Sequence, residues 1–578
     1  MLATLLVVVA LVSGVLAWIN RDDGLDPSRV QLRSSVAVLG FDNLSGREDA
    51  DWLATALGEM FAAELSQASS LRSVGGERIA ATRRELGEDW NLGELGPPLL
   101  GRIRSLLDCD FAVAGSYVSL GDGGDLRLDV RLHDAALGQQ IASFSEQGPS
   151  DQLFAMVDRL GEQLGDALGV DATEGELSGL PRDAEAARLY AEGLDDLRAF
   201  RPEDARTALE RAIVREPENP LLHSALAAAW EALGFGEQAQ ASAARAFELS
   251  SALGPEDRLL IEARHRESQG DWATAYEVYL ELWQSFPDNL DYGLGLAAAS
   301  TAAGDPRAAL ATIDQLRLLP EPLGEDARID LAEASAAGLA ALLDRQEAAA
   351  TRAVAKAEAD GAALPLARAL VSQAQALRGQ GQPGPSERAA SRARDLFGTL
   401  GQPPGVAEAT STLASARFDQ ARFEEAVDGY LEAADIYRDL GDRGGLAATL
   451  NNLAVVRKRL GDFGRAAELY RETEAIYQEI ADRRGLAVAR NNQAVLLVDR
   501  DRLDEAEAIF LDSLDVWEAA GGEAGRAYAL NNLAEVGRLL GQLDTSLERH
   551  REALRIRQNA GLQTDEAISR ANLAGVFL

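Results

Sequence analysis

Apolar and polar positions near the end of the chain recur in a fixed register. From about Gly405 to Leu578 the pattern repeats every 40 residues. Ala407, Ala447, Ala487, Ala527 and Ala567 form one column, and Phe423, Phe463, Leu503 and Leu543 another. Tyr430, Tyr470, Phe510 and His550 form a third, and Tyr437, Tyr477, Trp517 and Arg557 a fourth. Within a unit the apolar residues lie at helical spacing, i and i+7 among them, so these columns are expected to pack between helices. Units of this kind bury their apolar faces only by stacking, which predicts an α-solenoid.

One polar column keeps the same period. Asn451-Asn452 recurs as Asn491-Asn492 and Asn531-Asn532, with a last trace in Ala571-Asn572. Leu450, Leu453 and Ala454 mark the buried face of the first of these helices. At about 100° per residue, Asn452 points nearly opposite that face and Asn451 lies at its edge. An Asn side chain offers both donor and acceptor, as the main chain of an extended peptide requires. The expected partner-binding residues are therefore Asn452, Asn492 and Asn532, with Asn451, Asn491 and Asn531 in support.

Helical periodicity extends upstream. Between 183 and 320 the period is near 34, marked by Ala205, Ala239, Ala275 and Ala309. Gly234, Gly270 and Gly304 stand where the first helix of a pair should end. Residues 321–404 keep helix pairs and lose the signature. Ten pairs are expected, from about 184, 220, 256, 290, 326, 364, 405, 444, 484 and 523, plus one unpaired helix from 564. That last helix ends in apolar Ala574-Gly575-Val576-Phe577-Leu578, where a terminal unit should be polar. A contact with another copy, or a longer parent chain, is expected there.

The pattern before residue 170 differs. Ser35 to Phe41 is a short β-branched run closed by a turn, and Ala50 to Gln67 has helical spacing. A short strand near Leu71 to Val74 and a helix over Pro98 to Leu107 follow. Phe111–Leu120 and Leu126–His133 alternate around a Gly- and Asp-rich turn as a hairpin. Gln139 to Ser145 reads as a last strand and Asp151 to Leu168 as an amphipathic helix. Residues 35–170 are thus a small α/β domain, joined by linkers 20–34 and 171–182. Ahead of them Met1 to Ile19 is almost wholly apolar, close to the length of a bilayer span. It is expected to be a single membrane anchor or a signal peptide cleaved after Val15-Leu16-Ala17, and the missing basic start favours the anchor.

Two resemblances follow from these residues. Gly461-Asp462-Phe463, Ala466, Tyr470 and Ile476-Tyr477, with the Asn-bearing helix, resemble the tetratricopeptide repeat. That resemblance implies a helix-turn-helix superhelix whose first helices line a concave face and hold peptide partners through Asn. Ser35-Val36-Ala37-Val38-Leu39, Phe41, Asn43-Leu44-Ser45-Gly46 and the late hairpin resemble the TolB-like, or FlgO-like, domain. Gly40 stands where that family usually has Pro. This second resemblance implies an α/β module of bacterial envelope and receptor-like signalling proteins, with no catalytic residues.

Charge and chemistry then narrow the function. A formal net charge of −37 without a local basic patch disfavours nucleic acid. Cys109, the single cysteine, excludes an internal disulfide and is expected to be buried. His133, His223, His265 and His550 share no metal-ligand spacing. Gly379-Gln380-Gly381-Gln382-Pro383-Gly384 matches a dinucleotide fingerprint but follows a helix, and Pro383 and Pro385 are expected to break the helix that should open there. No phosphate loop or kinase signature is present. The expected protein is non-catalytic, without cofactor or metal: a membrane-anchored, extracytoplasmic scaffold or sensor for protein or peptide partners. The alternative is the extracytoplasmic region of a receptor-like Ser/Thr kinase or adenylate cyclase.

Overall fold

The computed structural model describes residues 27–68, 70–120, 125–170, 179–340, 342–520, 523–560 and 569–574. The Met1–Ile19 stretch, the tip of the expected hairpin, most of linker 171–182 and the ends of the last expected helix lie outside them. Among the described residues no helix is long and apolar enough to cross a membrane.

The first domain is one five-stranded sheet between two helical layers. Its strands are β1 (Ser34–Asn43), β2 (Leu71–Ser73), β3 (Phe111–Leu120), β4 (Asp125–Asp134) and β5 (Gln139–Pro149), in the order β2-β1-β3-β4-β5. β1 runs parallel to β2 and β3, and β3, β4 and β5 are antiparallel. The helices are α1 (Trp52–Ser66), α2 (Gly76–Leu86), α3 (Pro97–Leu107) and α4 (Leu153–Leu168). β1 is apolar at consecutive positions because both its faces are covered. Val36 and Val38 pack with α1 and α4, whereas Ala37 and Leu39 pack with α2 and α3. Gly40 sits at a register shift with φ +123°. Glycine alone tolerates that angle, and the Pro usual in the resembling family, fixed near about −65°, does not. Cys109 is buried under α3, and burial first, then Asp108 and Asp110, pushes its thiol up to about 12.

Ten helix pairs follow, here called units 1 to 10. Their first helices begin at Ala184, Pro220, Pro255, Leu290, Ala327, Ala363, Pro403, Arg443, Arg483 and Glu523. The turns inside units 2 to 4 and 7 to 10 each use one left-handed residue. Gly234, Gly270 and Gly304 supply it at φ +80°, +69° and +81°. Units 7 to 10 place Ala421, Gly461, Asp501 and Gly541 there, at φ 58°, 79°, 58° and 77°. One expectation is corrected. Pro383 does not break a helix but opens the one spanning Pro383–Thr399, because a first-turn residue needs no N–H partner.

The middle units replace the lost signature with buried charge. Asp330 and Glu333, in the helix Ala327–Leu339, are almost fully buried. Arg317, Arg352 and Lys356 reach Asp330 at 2.6, 2.9 and 2.9 Å. Arg317, Arg345 and Arg352 each reach Glu333 at 2.6 Å.

First helices meet across most of the junctions between units, and second helices scarcely meet at any, so the first helices form the concave side. The α/β domain is seated against that side. α1 packs on the first helix of unit 1, where Arg198 pairs with Glu59 at 2.6 Å and Thr55 donates to Asp195. Arg33, just before β1, makes a forked pair with Asp288 at the start of unit 4 and lies over Phe286. The Glu85 carboxylate accepts the Ala363 N–H of unit 6. The solenoid also meets itself one superhelical turn on. Leu233 accepts from the Arg443 N–H at 3.4 Å, and Phe235 joins the apolar core of units 7 to 9.

Candidate partner-binding face

The concave helices of units 8, 9 and 10 are Arg443–Arg459, Arg483–Val498 and Glu523–Leu539. Their starts are fixed locally. Asp442 and Asp482 accept the N–H groups of Gly445 and Gly485, capping two of the helices. A Cβ at Gly445, Gly485 or Gly525 would lie within 2.5 Å of the Tyr437, Tyr477 or Trp517 ring. Three members of the fourth column, Tyr437, Tyr477 and Trp517, are therefore rings seated on the next unit's glycine.

Each Asn pair divides into two environments. Asn451, Asn491 and Asn531 are buried at 8, 2 and 8% exposure. Asn452 is exposed, and Asn492 and Asn532 are partly so. Between units the second Asn donates to the first Asn of the unit before. Asn492 Nδ2 donates to Asn451 Oδ1 at 3.0 Å, Asn532 Nδ2 to Asn491 Oδ1 at 3.4 Å, and Asn572 Nδ2 to Asn531 Oδ1 at 3.0 Å. Five of the six expected residues, with Asn572, thus form the rungs of a ladder, and Asn452 stands at its end without a rung. Asn451, Asn491 and Asn531 lie inside it, because their oxygens are the rungs' acceptors. Asn452, Asn492 and Asn532 keep a side open. Each rung uses one of two amide hydrogens, leaving the other and the Oδ1 lone pairs for a ligand.

Residues that the sequence did not single out flank the ladder. One turn before Asn492 and Asn532 stand Val488 and Tyr528, 40 and 47% exposed. Val455 and Val495, three residues after Asn452 and Asn492, are partly exposed. Leu539 ends the same stripe on unit 10. Their i−4, i+3 and i+7 offsets from the Asn column were the available signal. Most charges nearby are paired: Lys458 with Asp499 at 3.0 Å, Arg490 with Glu474 at 2.9 Å and Arg538 with Glu535 at 2.6 Å. Arg459, seven residues after Asn452, is exposed and makes no hydrogen bond or ion pair among the described residues.

Among the described residues no group of His, Cys, Asp and Glu is placed to hold a metal. An open depression on Pro383–Thr399 is lined by Arg388, Ser391, Arg392 and Asp395 of that one helix.

Residues 405–479 and 485–576 match the family described as "Tetratricopeptide repeat", covering the last four helix pairs. No curated protein matches the chain. Among solved structures, BtubC from P. vanneervenii is similar to it at 24% identity and TM-score 0.33, over 38% of this chain and 91% of that one. A Rap protein complexed with Competence and Sporulation Factor is similar at 14% identity and TM-score 0.39, over 56% of this chain and 98% of that one. The signal transduction ATPase PH0952 from Pyrococcus horikoshii, with a tetratricopeptide repeat sensor, is similar at 15% identity and TM-score 0.39, over 61% of this chain and 55% of that one. Likeness at this level transfers no property of those proteins to this chain.

Proposed function

We propose that this chain is a non-catalytic scaffold or sensor that takes an extended peptide or protein segment on the concave face of units 8 to 10. One observation carries the reading. The α/β domain is bonded to units 1, 4 and 6, while no hydrogen bond or ion pair joins it to units 7 to 10 among the described residues. The Asn ladder lies on units that the domain does not tie down by such a bond. A main chain laid across Asn452, Asn492 and Asn532 meets a donor and an acceptor at every unit. The apolar run Met1–Ile19 and the sequence resemblance of residues 35–170 support attachment to a membrane with the bulk of the chain outside the cytoplasm. The apolar end at 574–578 supports a further contact with a second copy.

Selection of peptides from a random display library on the full chain tests the binding reading. Selected peptides should bind the wild type and lose at least tenfold in affinity for the variant carrying Asn452→Ala, Asn492→Ala and Asn532→Ala. Equal affinity for both proteins removes the ladder from the function.

A further inference from the structure

Resting on that peptide-binding reading, we infer the chemistry of the segment: an extended stretch with one carboxylate and, about eight residues away, a large apolar side chain. Three features of the face set these terms. Its centre, the ladder, is neutral and carries both donors and acceptors, so it suits main chain rather than a charged side chain. Its unit 8 end holds Arg459, an exposed guanidinium without a partner among the described residues, on the stripe of Asn452. With Arg457 and Lys458 beside it, this helix end is basic in a chain of net charge −37. Its unit 10 end holds Tyr528, 47% exposed, with Val488 beside it at 40%. Large apolar side chains left open together on one concave stripe mark a site where apolar surface is to be buried.

The spacing follows from helix packing. Neighbouring concave helices lie about 10 Å apart, so units 8 and 10 are about 20 Å apart across the ladder. Arg459 stands seven residues after its Asn and Tyr528 four before its own, a further offset of about 16 Å along the helices at about 1.5 Å per residue. The two ends are thus about 26 Å apart, and an extended chain advancing about 3.3 Å per residue spans them in about eight residues. The carboxylate then meets Arg459 in a charge-assisted hydrogen bond, and the apolar side chain covers Tyr528. Arg459 also ends its helix, where a cation offsets the helix dipole without any ligand. The test must therefore read peptide preference and not stability alone.

Synthetic peptides on the full chain supply it. A peptide of about eleven residues with Glu and Leu about eight positions apart is compared with versions in which Glu becomes Gln, Leu becomes Ser, or the spacing is halved. Affinity for the parent peptide should exceed that for each version by five- to tenfold. Arg459→Gln should abolish the Glu-over-Gln preference and leave the Leu-over-Ser preference intact, and Tyr528→Ser should do the reverse. Arg459→Glu should favour a Lys peptide over the Glu peptide. Peptides that bind through the ladder with no preference for the acid, the apolar residue or the spacing overturn this inference and leave the binding function standing. Failure of every extended peptide, library-selected ones included, overturns both.

Discussion

Replacing Asp330 with Asn tests whether buried charge holds the middle units together. The side chain is fully buried and meets Arg317, Arg352 and Lys356 within 3 Å. Burial alone raises its carboxyl pKa, yet the bonds from Arg317, Lys356 and Arg352 hold it below the ordinary value. Removing one partner of a buried ion pair costs about 3–5 kcal/mol. Here the three cations are 26, 45 and 23% exposed and can regain water, which lowers the expected loss to about 2–3 kcal/mol. In a solenoid that loss stays local, because each unit is held by itself and its neighbours. Amide exchange in Ala327–Leu339 and Leu343–Asp360 should therefore accelerate about thirtyfold, the equivalent of 2 kcal/mol at about 1.4 kcal/mol per decade. Exchange in Arg483–Val498 should not change. The pH dependence has a definite sign. A depressed carboxylate stabilises the fold above its unfolded value, near about 4, and that contribution is lost as pH falls through the lower folded value. The Asn variant should lack this part of the acid limb. An acceleration under threefold, or equal acceleration in the distant helix, refutes the reasoning.

Three further outcomes are expected. Ala421→Gly and Ala481→Gly relieve left-handed backbone at φ 58° and 56°, and each should raise stability by about 0.5–1 kcal/mol in urea unfolding, since the left-handed cost exceeds the added freedom of glycine. Glu64 is raised to about 7, first by burial and then by Asp158 and Glu162, so its stabilising protonated form is complete below about 4.5 and lost as pH rises through 7. With a discount for its partial exposure, Glu64→Gln should stabilise the α/β domain by about 1–2 kcal/mol at pH 8 and by little at pH 4, read from its thermal transition. His550 is fully buried with both ring nitrogens unbonded, and burial, opposed by Glu535 and reinforced by Arg557 and Arg538, lowers its pKa. Its contribution is present above about 6.5 and lost as pH falls through the lower folded value, so His550→Phe should stabilise unit 10 by about 1–2 kcal/mol and delay its exchange below pH 6.

The parts of the fold with a local cause were legible in the sequence. Val36 to Leu39 announced a strand, and the 40-residue columns announced packed helices because the same contacts recur in every unit. α2 was missed for the converse reason. It buries only Ile79, Thr82 and Leu86, and several of its polar residues face the solenoid instead of water. Arg84 donates to the Arg198 carbonyl and lies over Phe200, and Glu85 reaches Ala363. Contacts of this kind leave no period in the sequence. Arg33 and Asp288 are 255 residues apart, so neither neighbourhood marks their pairing. The left-handed turns were half visible. Gly461 and Gly541 share a column with Ala421 and Asp501, and the period alone assigns the same angle to all four.

Burial of the first Asn of each pair changes what the ladder means for a ligand. A free Asn must give up side-chain freedom when it binds a peptide main chain. Asn492 and Asn532 have already given up part of it, because their rungs to Asn451 and Asn491 hold the amide in place. The remaining hydrogen and oxygen are thus aimed before a ligand arrives, which lowers the cost of binding. Asn452 lacks this support, since unit 7 carries Ser411 where a first Asn would stand, and Ser411 faces Thr449 at 3.5 Å. The three open residues are therefore unequal. Asn492→Ala and Asn532→Ala should each weaken a ladder-bound peptide more than Asn452→Ala does. Asn491→Ala, though its side chain is buried, should weaken binding by freeing Asn532. A ladder that served packing alone would show the stability loss of Asn491→Ala with no change in peptide affinity. Titration of one peptide against these four variants, at a temperature where all remain folded, separates the two cases.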